Sequence, residues 1–185
     1  MQEQLSKAFY LNIFIDLEQG DSSVNSLKNK KNFIISIDQG TTSSRAILFD
    51  CYGKSIFKSQ IEFKQYFPKN GWVEHDPEEI WNKTKKVLIK VINKNKKIKG
   101  NVLAVGITNQ RETTILWDRV TGKPVYNAIV WQDRRTADFC KKYRSKKKER
   151  LINKKTGLLI DPYFSGTKIK WIIENIPKAR NLLKK

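Results

Sequence analysis

The sequence predicts an α/β fold in which helices flank a mixed β-sheet. Short runs of β-branched and aromatic residues, which are typical of strands, come before a long segment with helical periodicity. More short apolar runs follow that segment, and the last part of the chain is again helical in its pattern. Strands and helices do not alternate regularly, so the order does not match a dinucleotide-binding domain built from repeated βαβ units.

Three strands are expected first. Residues 33–37 and 45–50 are rich in Ile, Phe and Leu, and residues 54–65 alternate between apolar and polar side chains enough to form a third strand. Only a few residues separate the first two strands, so they should pair as an antiparallel hairpin.

A long helix is expected next, beginning at Pro77. Asp76 suits the N-cap of this helix, and Pro77 suits its first position. Two glutamates follow, near the positive end of the helix dipole. The stripe that this helix should bury comprises Ile80, Thr84, Val87, Leu88, Val91 and Ile92.

Further strands are expected at residues 102–108, 113–117 and 128–131. The first of these is mostly apolar, which predicts a strand that is buried on both faces.

Helices are expected in the last part of the chain. A helical region begins at Arg134, and a final helix at residues 167–175 stops before Pro177. The residues of the final helix that should face inward are Ile169, Ile172 and Ile173.

The composition indicates a globular protein. The chain has 185 residues, of which 39% are hydrophobic, so it is one domain or part of a larger one. We find no apolar run long enough for a membrane span and no signal-peptide pattern. Cys51 and Cys140 are isolated, which predicts ordinary thiols in the cytoplasm. His75 is the only histidine, which argues against a zinc site or a histidine-based triad.

The net charge of +19 raises the question of a nucleic-acid partner. Most of the excess lies in residues 82–100 and 141–155. In the first of these segments the apolar residues keep helical spacing, which favours lysines that form a solvated face. A nucleic-acid surface is the alternative, but no nucleic-acid-binding motif accompanies the lysines. We therefore expect no nucleic-acid partner.

The stretch SIDQGTTSSRAILFD places an acid, a glycine and a run of hydroxyls between two apolar runs. Gly40 lets the backbone approach a ligand closely, and successive N–H groups in such a turn can bind phosphate oxygens. Asp38 is compatible with phosphate if Mg²⁺ or a metal-bound water lies between them, and Arg45 can reach a phosphate oxygen. The hydroxyls that can add donors are those of Thr41, Thr42, Ser43 and Ser44. A hairpin turn with polar residues at its tip is the alternative.

Polar residues also follow two later strands. Arg111 and Glu112 come after the strand expected at residues 102–108, and together they can hold a polyol through paired hydrogen bonds. A strand-end ion pair is the alternative. Residues 130–136 bring further polar side chains to the end of another strand. Ligands of α/β sheets collect beyond strand ends, so these clusters favour one shared cleft.

An aromatic pair follows a proline near the last helix. Tyr163 and Phe164 come after Pro162. Tyr163 could wall a small pocket and hydrogen-bond a substrate hydroxyl, or it could be ordinary packing.

Several longer motifs resemble those of a known family. They are DQGTTSSRA, GWVEHDP, GITNQRETT, NAIVWQDRRT and TGLLIDPYFSGTKIKW. Their order and spacing are similar to those of glycerol kinases, within the FGGY carbohydrate kinase family and the ATPase superfamily of actin, Hsp70 and hexokinase. The resemblance covers residues 32–180.

The resemblance implies an actin-like, or RNase H-like, ATPase fold. Residues 32–185 are then an incomplete first domain of a two-domain kinase, and residues 1–31 are an extension that we expect to be loop-like. The implied reaction is the MgATP-dependent phosphorylation of glycerol to sn-glycerol 3-phosphate. ATP and Mg²⁺ would be required, and the whole enzyme is expected to be a homo-oligomer that does not bind membranes.

The resemblance also implies residue roles. Nucleotide binding falls to Thr41, Thr42, Ser43 and Arg45. Glycerol binding falls to Arg111, Glu112, Tyr163 and Trp131. Asp38 is expected near Mg²⁺, directly or through a water.

The family's catalytic base is an Asp in an Asp-Gln pair downstream of these motifs. The base, the second phosphate motif and the adenine site are not found before Lys185. We therefore expect no measurable kinase activity from this chain by itself. A non-catalytic remnant or scaffold protein is the alternative, and it predicts no effect of Arg111→Ala.

Overall fold

The computed structural model describes residues 31–183, so the extension predicted over residues 1–31 lies outside them except for its last residue. Within the described part, the chain forms two compact units. The first unit comprises residues 31–38, 45–60 and 86–107, and the second comprises residues 39–44, 61–85 and 108–183.

The elements confirm the predicted α/β class. The strands between residues 31 and 183 are, in chain order, β1 (Asn32–Gln39), β2 (Ser43–Asp50), β3 (Ser55–Glu62), β4 (Glu74–His75), β5 (Asn101–Thr108) and β6 (Ala128–Ile129). The helices are α1 (Pro77–Lys97), α2 (Ala137–Tyr143), α3 (Lys146–Thr156), α4 (Ser165–Asn175) and α5 (Pro177–Leu182). The main sheet has the order β3-β2-β1-β5, and β4 pairs with β6 in antiparallel register.

The predicted start of the sheet is confirmed. β1, β2 and β3 are neighbours, and the connections between them are too short for a parallel crossover. The buried side chains of the first unit include Ile35 and Leu48 from the sheet and Val87 and Val91 from α1. Burying each such side chain stabilises the fold by about 1.5–3 kcal/mol, so this apolar face is the main reason why the strands hold their register.

β5 forms where a strand was predicted, but the expectation that it is buried on both faces is wrong. Leu103, Val105 and Ile107 are 44%, 51% and 62% exposed. β5 is an edge of the sheet, with β1 beside it, and no other described residue covers these side chains. An apolar run predicts a strand whose side chains pack against other segments, but it does not identify those segments.

α1 begins as predicted. Asp76 Oδ1 accepts a hydrogen bond from the Glu78 N–H at 2.9 Å, and Pro77 is the first helical residue. The predicted stripe is buried at Ile80, Thr84, Val87 and Val91 and partly exposed at Leu88 and Ile92. Lys86 and Lys90 are exposed, as expected of a solvated face.

The strand predicted at residues 113–117 does not form. Single bridges instead join Thr114 to Ile129 and Trp117 to Pro124. Each bridge engages one residue, so no continuous ladder develops, and β6 is correspondingly shorter than predicted.

The helical region after Arg134 consists of two helices, α2 and α3. α3 ends at Thr156 and is capped by Gly157, whose φ of 73° lies in the left-handed region that favours glycine. α4 begins two residues earlier than predicted and ends where it was expected. The core of the second unit includes Ile129, Ile172 and Ala179. Among residues 31–183, none of the helices combines the length and the apolar character needed to cross a bilayer.

Candidate functional site

The polar turn between β1 and β2 is a tight hairpin turn of the second unit. The Gly40 N–H donates to the Ser43 carbonyl at 3.0 Å, and the Phe63 N–H donates to the Thr42 carbonyl at 3.2 Å. The Gly40 amide is therefore used inside the turn. The amides of Thr41 and Thr42 have no acceptor among residues 31–183, so these two N–H groups are available to an anion.

The hydroxyls of this turn lie in different surroundings. Ser43 is 9% exposed, and Ser44 is fully buried with its Oγ 2.9 Å from Thr84 Oγ1 of α1. Thr42 is exposed. The Ser44 hydroxyl therefore fixes the turn to the helix, whereas the Thr42 hydroxyl can reach a ligand.

Asp38 and Arg45 flank this turn in the sequence and belong to the first unit. Arg45 Nη2 donates to Asp38 Oδ2 at 2.6 Å, and the two side chains are 36% and 27% exposed. A carboxylate accepts more than one hydrogen bond or cation contact, so Asp38 can still bind a hard cation directly or through water. One carboxylate together with water and phosphate oxygens is a usual donor set for Mg²⁺, and Asp38 fits that set.

Glu112 is held by α4 and not by Arg111. Its Oε2 accepts hydrogen bonds from the N–H and the Oγ–H of Ser165, at 2.8 and 2.7 Å. Ser165 is the first residue of α4, so the carboxylate lies at the positive end of the helix dipole. Between residues 31 and 183 no ion pair joins exposed Arg111 to Glu112, so the alternative of a strand-end ion pair is not observed.

The backbone of Glu112 is unusual. Its φ is 63°, in the left-handed region that residues other than glycine rarely adopt. Such a conformation costs free energy and persists where neighbouring groups hold it. The contacts that hold Glu112 therefore bear on the geometry of the whole site.

Trp131 joins the polar turn to the aromatic pair. Its Nε1–H donates to Thr41 Oγ1 at 3.0 Å. Its ring meets that of Tyr163 in an edge arrangement, with 5.9 Å between the ring centroids. Tyr163 in turn contacts the Phe164 ring at 5.2 Å and keeps 36% of its surface exposed. The indole therefore lies between the Thr41 hydroxyl and the Tyr163 ring.

Lys168 of α4 is fully buried, although a lysine is rarely found inside a protein. Its Nζ donates to the Glu112 carbonyl at 3.0 Å and also to the Tyr163 carbonyl. Burial lowers the pKa of Lys168 to about 8, against the opposing effect of nearby carboxylates such as Glu112 and Asp133. The inward position that we expected for Ile169 is occupied by Lys168, and Ile169 is 37% exposed.

Four of the predicted site residues of the second unit, Thr41, Trp131, Tyr163 and Glu112, thus belong to one continuous set of contacts. Thr41 contacts Trp131, Trp131 contacts Tyr163, and Lys168 joins Tyr163 to Glu112. The polar turn and the Arg-Glu segment, which are separate motifs in the sequence, are therefore joined by a chain of contacts within this unit.

The third polar cluster lies in the interior, so its expected place in a shared cleft is wrong for Asp133 and Arg135. Arg135 Nη2 donates to Glu74 Oε1 at 2.7 Å and to Asp133 Oδ2 at 2.9 Å, and all three side chains are buried. The guanidinium also lies 3.9 Å from the Trp72 ring centroid. Burial opposes the charge of Arg135, but hydrogen bonds to Asp133 and Glu74 outweigh it and raise the pKa of Arg135 above its usual value.

Sequence reasoning missed two residues that shape this surface, Lys168 and Ser165. A signal was present for Lys168, because it precedes buried Ile172 by four positions and so lies on the same helix face. The signal conflicts with the usual exposure of lysine, and only its contacts resolve the conflict. Ser165 gave no signal, since its partner Glu112 is distant in the sequence.

Comparison with known proteins assigns the family. The model of the N-terminal domain of the FGGY family of carbohydrate kinases matches residues 33–185. The chain belongs to this family. The FGGY chain is 52% identical over 158 residues to a glycerol kinase of Mycoplasma capricolum and 57% identical over 148 residues to one of Rhizobium meliloti. These alignments cover 85% and 80% of this chain but 31% and 30% of the relatives, so the chain spans about a third of their length.

Solved structures confirm the predicted actin-like ATPase fold of FGGY kinases. A Plasmodium falciparum glycerol kinase crystallised with ADP matches with a TM-score of 0.77 and 40% identity, over 84% of this chain and 31% of that one. A gluconate kinase from Lactobacillus acidophilus matches with a TM-score of 0.72 over 80% of this chain and 30% of its own, but at 22% identity it shows the fold alone.

Proposed function

We propose that this FGGY chain contributes to a glycerol kinase, which transfers the γ-phosphoryl group of MgATP to glycerol and forms sn-glycerol 3-phosphate. The observation that carries the proposal is the connected set of contacts from Thr41 through Trp131 and Tyr163 to Glu112. The identities of 52% and 57% with proteins named glycerol kinase support glycerol as the acceptor.

Glycerol binding is assigned to Arg111, Glu112 and Tyr163, with Trp131 as a wall. Ser165 occupies Oε2 of Glu112, while Oε1 accepts no hydrogen bond from another described residue and can accept one from a glycerol hydroxyl. The exposed Arg111 guanidinium can donate to the neighbouring hydroxyl. Adjacent hydroxyls of a polyol match this pairing of an acceptor with a donor.

Nucleotide binding is assigned to the polar turn. The amides of Thr41 and Thr42 and the Thr42 hydroxyl can donate to phosphate oxygens, and we extend this role to Ser43 and Arg45 from the resemblance.

Asp38 is proposed to hold Mg²⁺, directly or through water. When bound, the metal screens the negative charge of the phosphates. The chain's own contribution is to keep that carboxylate oriented through Arg45.

In the reaction, a glycerol oxygen forms a bond to the γ-phosphorus while the bond to the β–γ bridging oxygen breaks. The residues assigned above bind and orient the two reactants, which can supply a large part of the rate enhancement. The hydroxyl proton leaves to a base that we assign to no residue between 31 and 183.

We further propose a cytoplasmic location and a homo-oligomeric whole enzyme. Cys51 and Cys140 are free thiols, which suits a reducing compartment, and the oligomer rests on the resemblance alone. Cell fractionation and light scattering of the whole protein test these two points.

Glycerol binding to the chain is the direct test. The indole N–H resonance of Trp131, assigned by its loss in Trp131→Phe, should shift saturably with glycerol. Arg111→Ala and Glu112→Gln should weaken binding at least about tenfold, because each removes a charge-assisted hydrogen bond. Arg119→Ala, at another exposed arginine, is the matched control and should bind like the wild type.

The nucleotide is tested in the same way. MgADP should shift the Thr41 and Thr42 amides, and Asp38→Ala should reduce the effect of Mg²⁺. Failure of glycerol to shift Trp131, or equal affinity in wild type and Arg111→Ala, would favour the scaffold alternative and overturn the proposal.

A further inference from the structure

The first four residues of α4 contact Glu112 at two separate points. Ser165 donates two hydrogen bonds to the Glu112 carboxylate, and Lys168 donates one to the Glu112 carbonyl. The side chain and the backbone of Glu112 are thus fixed by the same helix. This matters because Glu112 has a left-handed backbone that its own residue type disfavours.

Lys168 also holds the segment that carries Tyr163. Its Nζ donates to the carbonyl of Tyr163, whose ring contacts Trp131. One buried amino group therefore ties the segment that carries Glu112 to the segment that carries Tyr163. Both partners are neutral carbonyls, and both an ammonium and an amine have N–H groups to donate to them.

A purely structural lysine is a poor explanation of this arrangement. Burying an amino group costs free energy, and hydrogen bonds to two neutral carbonyls offset only part of that cost. The cost is understandable if the two carbonyls must be kept at a fixed separation for a ligand.

We propose that Lys168 is a positioning residue for polyol binding, which sets Glu112 and Tyr163 in place by holding their carbonyls together. The inference rests on the proposed function, because the ligand that these residues hold is the glycerol proposed above. Lys168 itself contacts no reactant.

The test uses the 185-residue chain with two readouts. The first does not need a ligand: hydrogen exchange of the Ser165 amide, which donates to Glu112 Oε2. In Lys168→Met the released Glu112 should leave that amide, and its exchange should accelerate at least about tenfold. The second is the glycerol affinity from the Trp131 indole resonance, which should fall by a similar factor.

Lys170→Met is the matched control. Lys170 lies on the same helix, two positions along, and pairs with exposed Glu174. This variant should change neither readout.

Lys168→Gln keeps an N–H donor on a side chain one atom shorter and should give intermediate values in both readouts. It decides the question if Lys168→Met does not fold. If both variants fail to fold, the wild-type chain decides it: hydrogen-bond couplings from the Lys168 amino group to the carbonyl carbons of residues 112 and 163 support the inference, and their absence overturns it.

The outcomes separate the two proposals. If the wild type does not bind glycerol, the proposed function fails, while the Ser165 exchange rate still reports whether Lys168 holds Glu112. If Lys168→Met lowers only the global stability, with Ser165 exchange relative to other α4 amides and glycerol affinity unchanged, Lys168 is structural and the inference is overturned.

Discussion

The second unit contains two buried cations with different partners. Arg135 pairs with two buried carboxylates, those of Glu74 and Asp133, and stacks on the Trp72 ring. Lys168 donates to two backbone carbonyls. The pKa of Arg135 is raised above its usual value, whereas burial lowers the pKa of Lys168 to about 8.

The difference shows how the partner decides the use of a buried charge. Carboxylates neutralise the guanidinium, so the arginine cluster is a fixed structural element whose members depend on one another. Carbonyls satisfy the hydrogen bonds of the lysine but do not cancel its charge, so its burial remains costly. Under the inference above, that cost is accepted because Lys168 keeps Glu112 and Tyr163 in position at the candidate site.

The largest expected effect follows removal of the arginine. Arg135→Met leaves the carboxylates of Glu74 and Asp133 buried without their cation, so the free energy of unfolding should fall by about 3–5 kcal/mol. Urea denaturation measures this. Arg134→Met is the control, since Arg134 forms a largely exposed pair with Asp161, and it should cost at most about 1 kcal/mol. Equal losses in the two variants would contradict the structural role of the cluster.

Removal of the lysine should cost less. Lys168→Met leaves two neutral carbonyls without a donor instead of two charges, so the expected loss of unfolding free energy is about 1–3 kcal/mol. The same urea experiment measures it. A loss as large as that of Arg135→Met would mean that the charge of the partner groups does not determine how much stability is lost when a buried cation is removed. It would contradict the comparison of the two residues.

The lysine, but not the arginine, should make stability depend on pH. The pKa of Lys168 is about 8 in the folded chain, and that of an unfolded lysine is about 10.4. Between these values the unfolded chain holds the proton and the folded chain does not. Stability should therefore rise with pH across this window, by at most about 1.4 kcal/mol per pH unit.

The measurement is the difference in unfolding free energy between wild type and Lys168→Met at pH 7.5, 8.5 and 9.5. The variant removes the titration of Lys168 and leaves the other lysines and tyrosines as a common background. The advantage of the wild type should grow with pH. A difference that stays constant over the three values would show that Lys168 does not titrate there.

The smallest effects come from two hydroxyls that donate to carboxylates. Tyr126 donates to Glu74 at 2.6 Å in the arginine cluster, and Ser165 donates to Glu112 at 2.7 Å, next to the carbonyl that Lys168 holds. Tyr126→Phe should lower stability by about 1 kcal/mol and leave glycerol affinity unchanged. Ser165→Ala should weaken glycerol binding a few-fold. Denaturation measures stability and titration measures glycerol affinity. Weaker glycerol binding in Tyr126→Phe, with unchanged binding in Ser165→Ala, would contradict the roles given to the two hydroxyls.

Much of the fold could be predicted because it depends on local patterns. The strands β1, β2 and β3 follow from runs of β-branched residues, and the start of α1 follows from the capping chemistry of Asp76 and Pro77. The burial of β5 and the strand at residues 113–117 were predicted wrongly, because both depend on which neighbour pairs with or covers a segment.

For the candidate site, the sequence by itself determined the chemical types of the residues and their family, through long motifs that a local reading can recognise. The tertiary structure decided that Thr41, Trp131, Tyr163 and Glu112 belong to one set of contacts and that Asp133 and Arg135 lie in a separate buried cluster. It also decided that Lys168 points inward, where it meets carbonyls 56 and 5 positions away in the sequence. The physical reason is that spacing along the chain fixes which face of its own element a side chain occupies, whereas its partners are fixed only when separate elements pack.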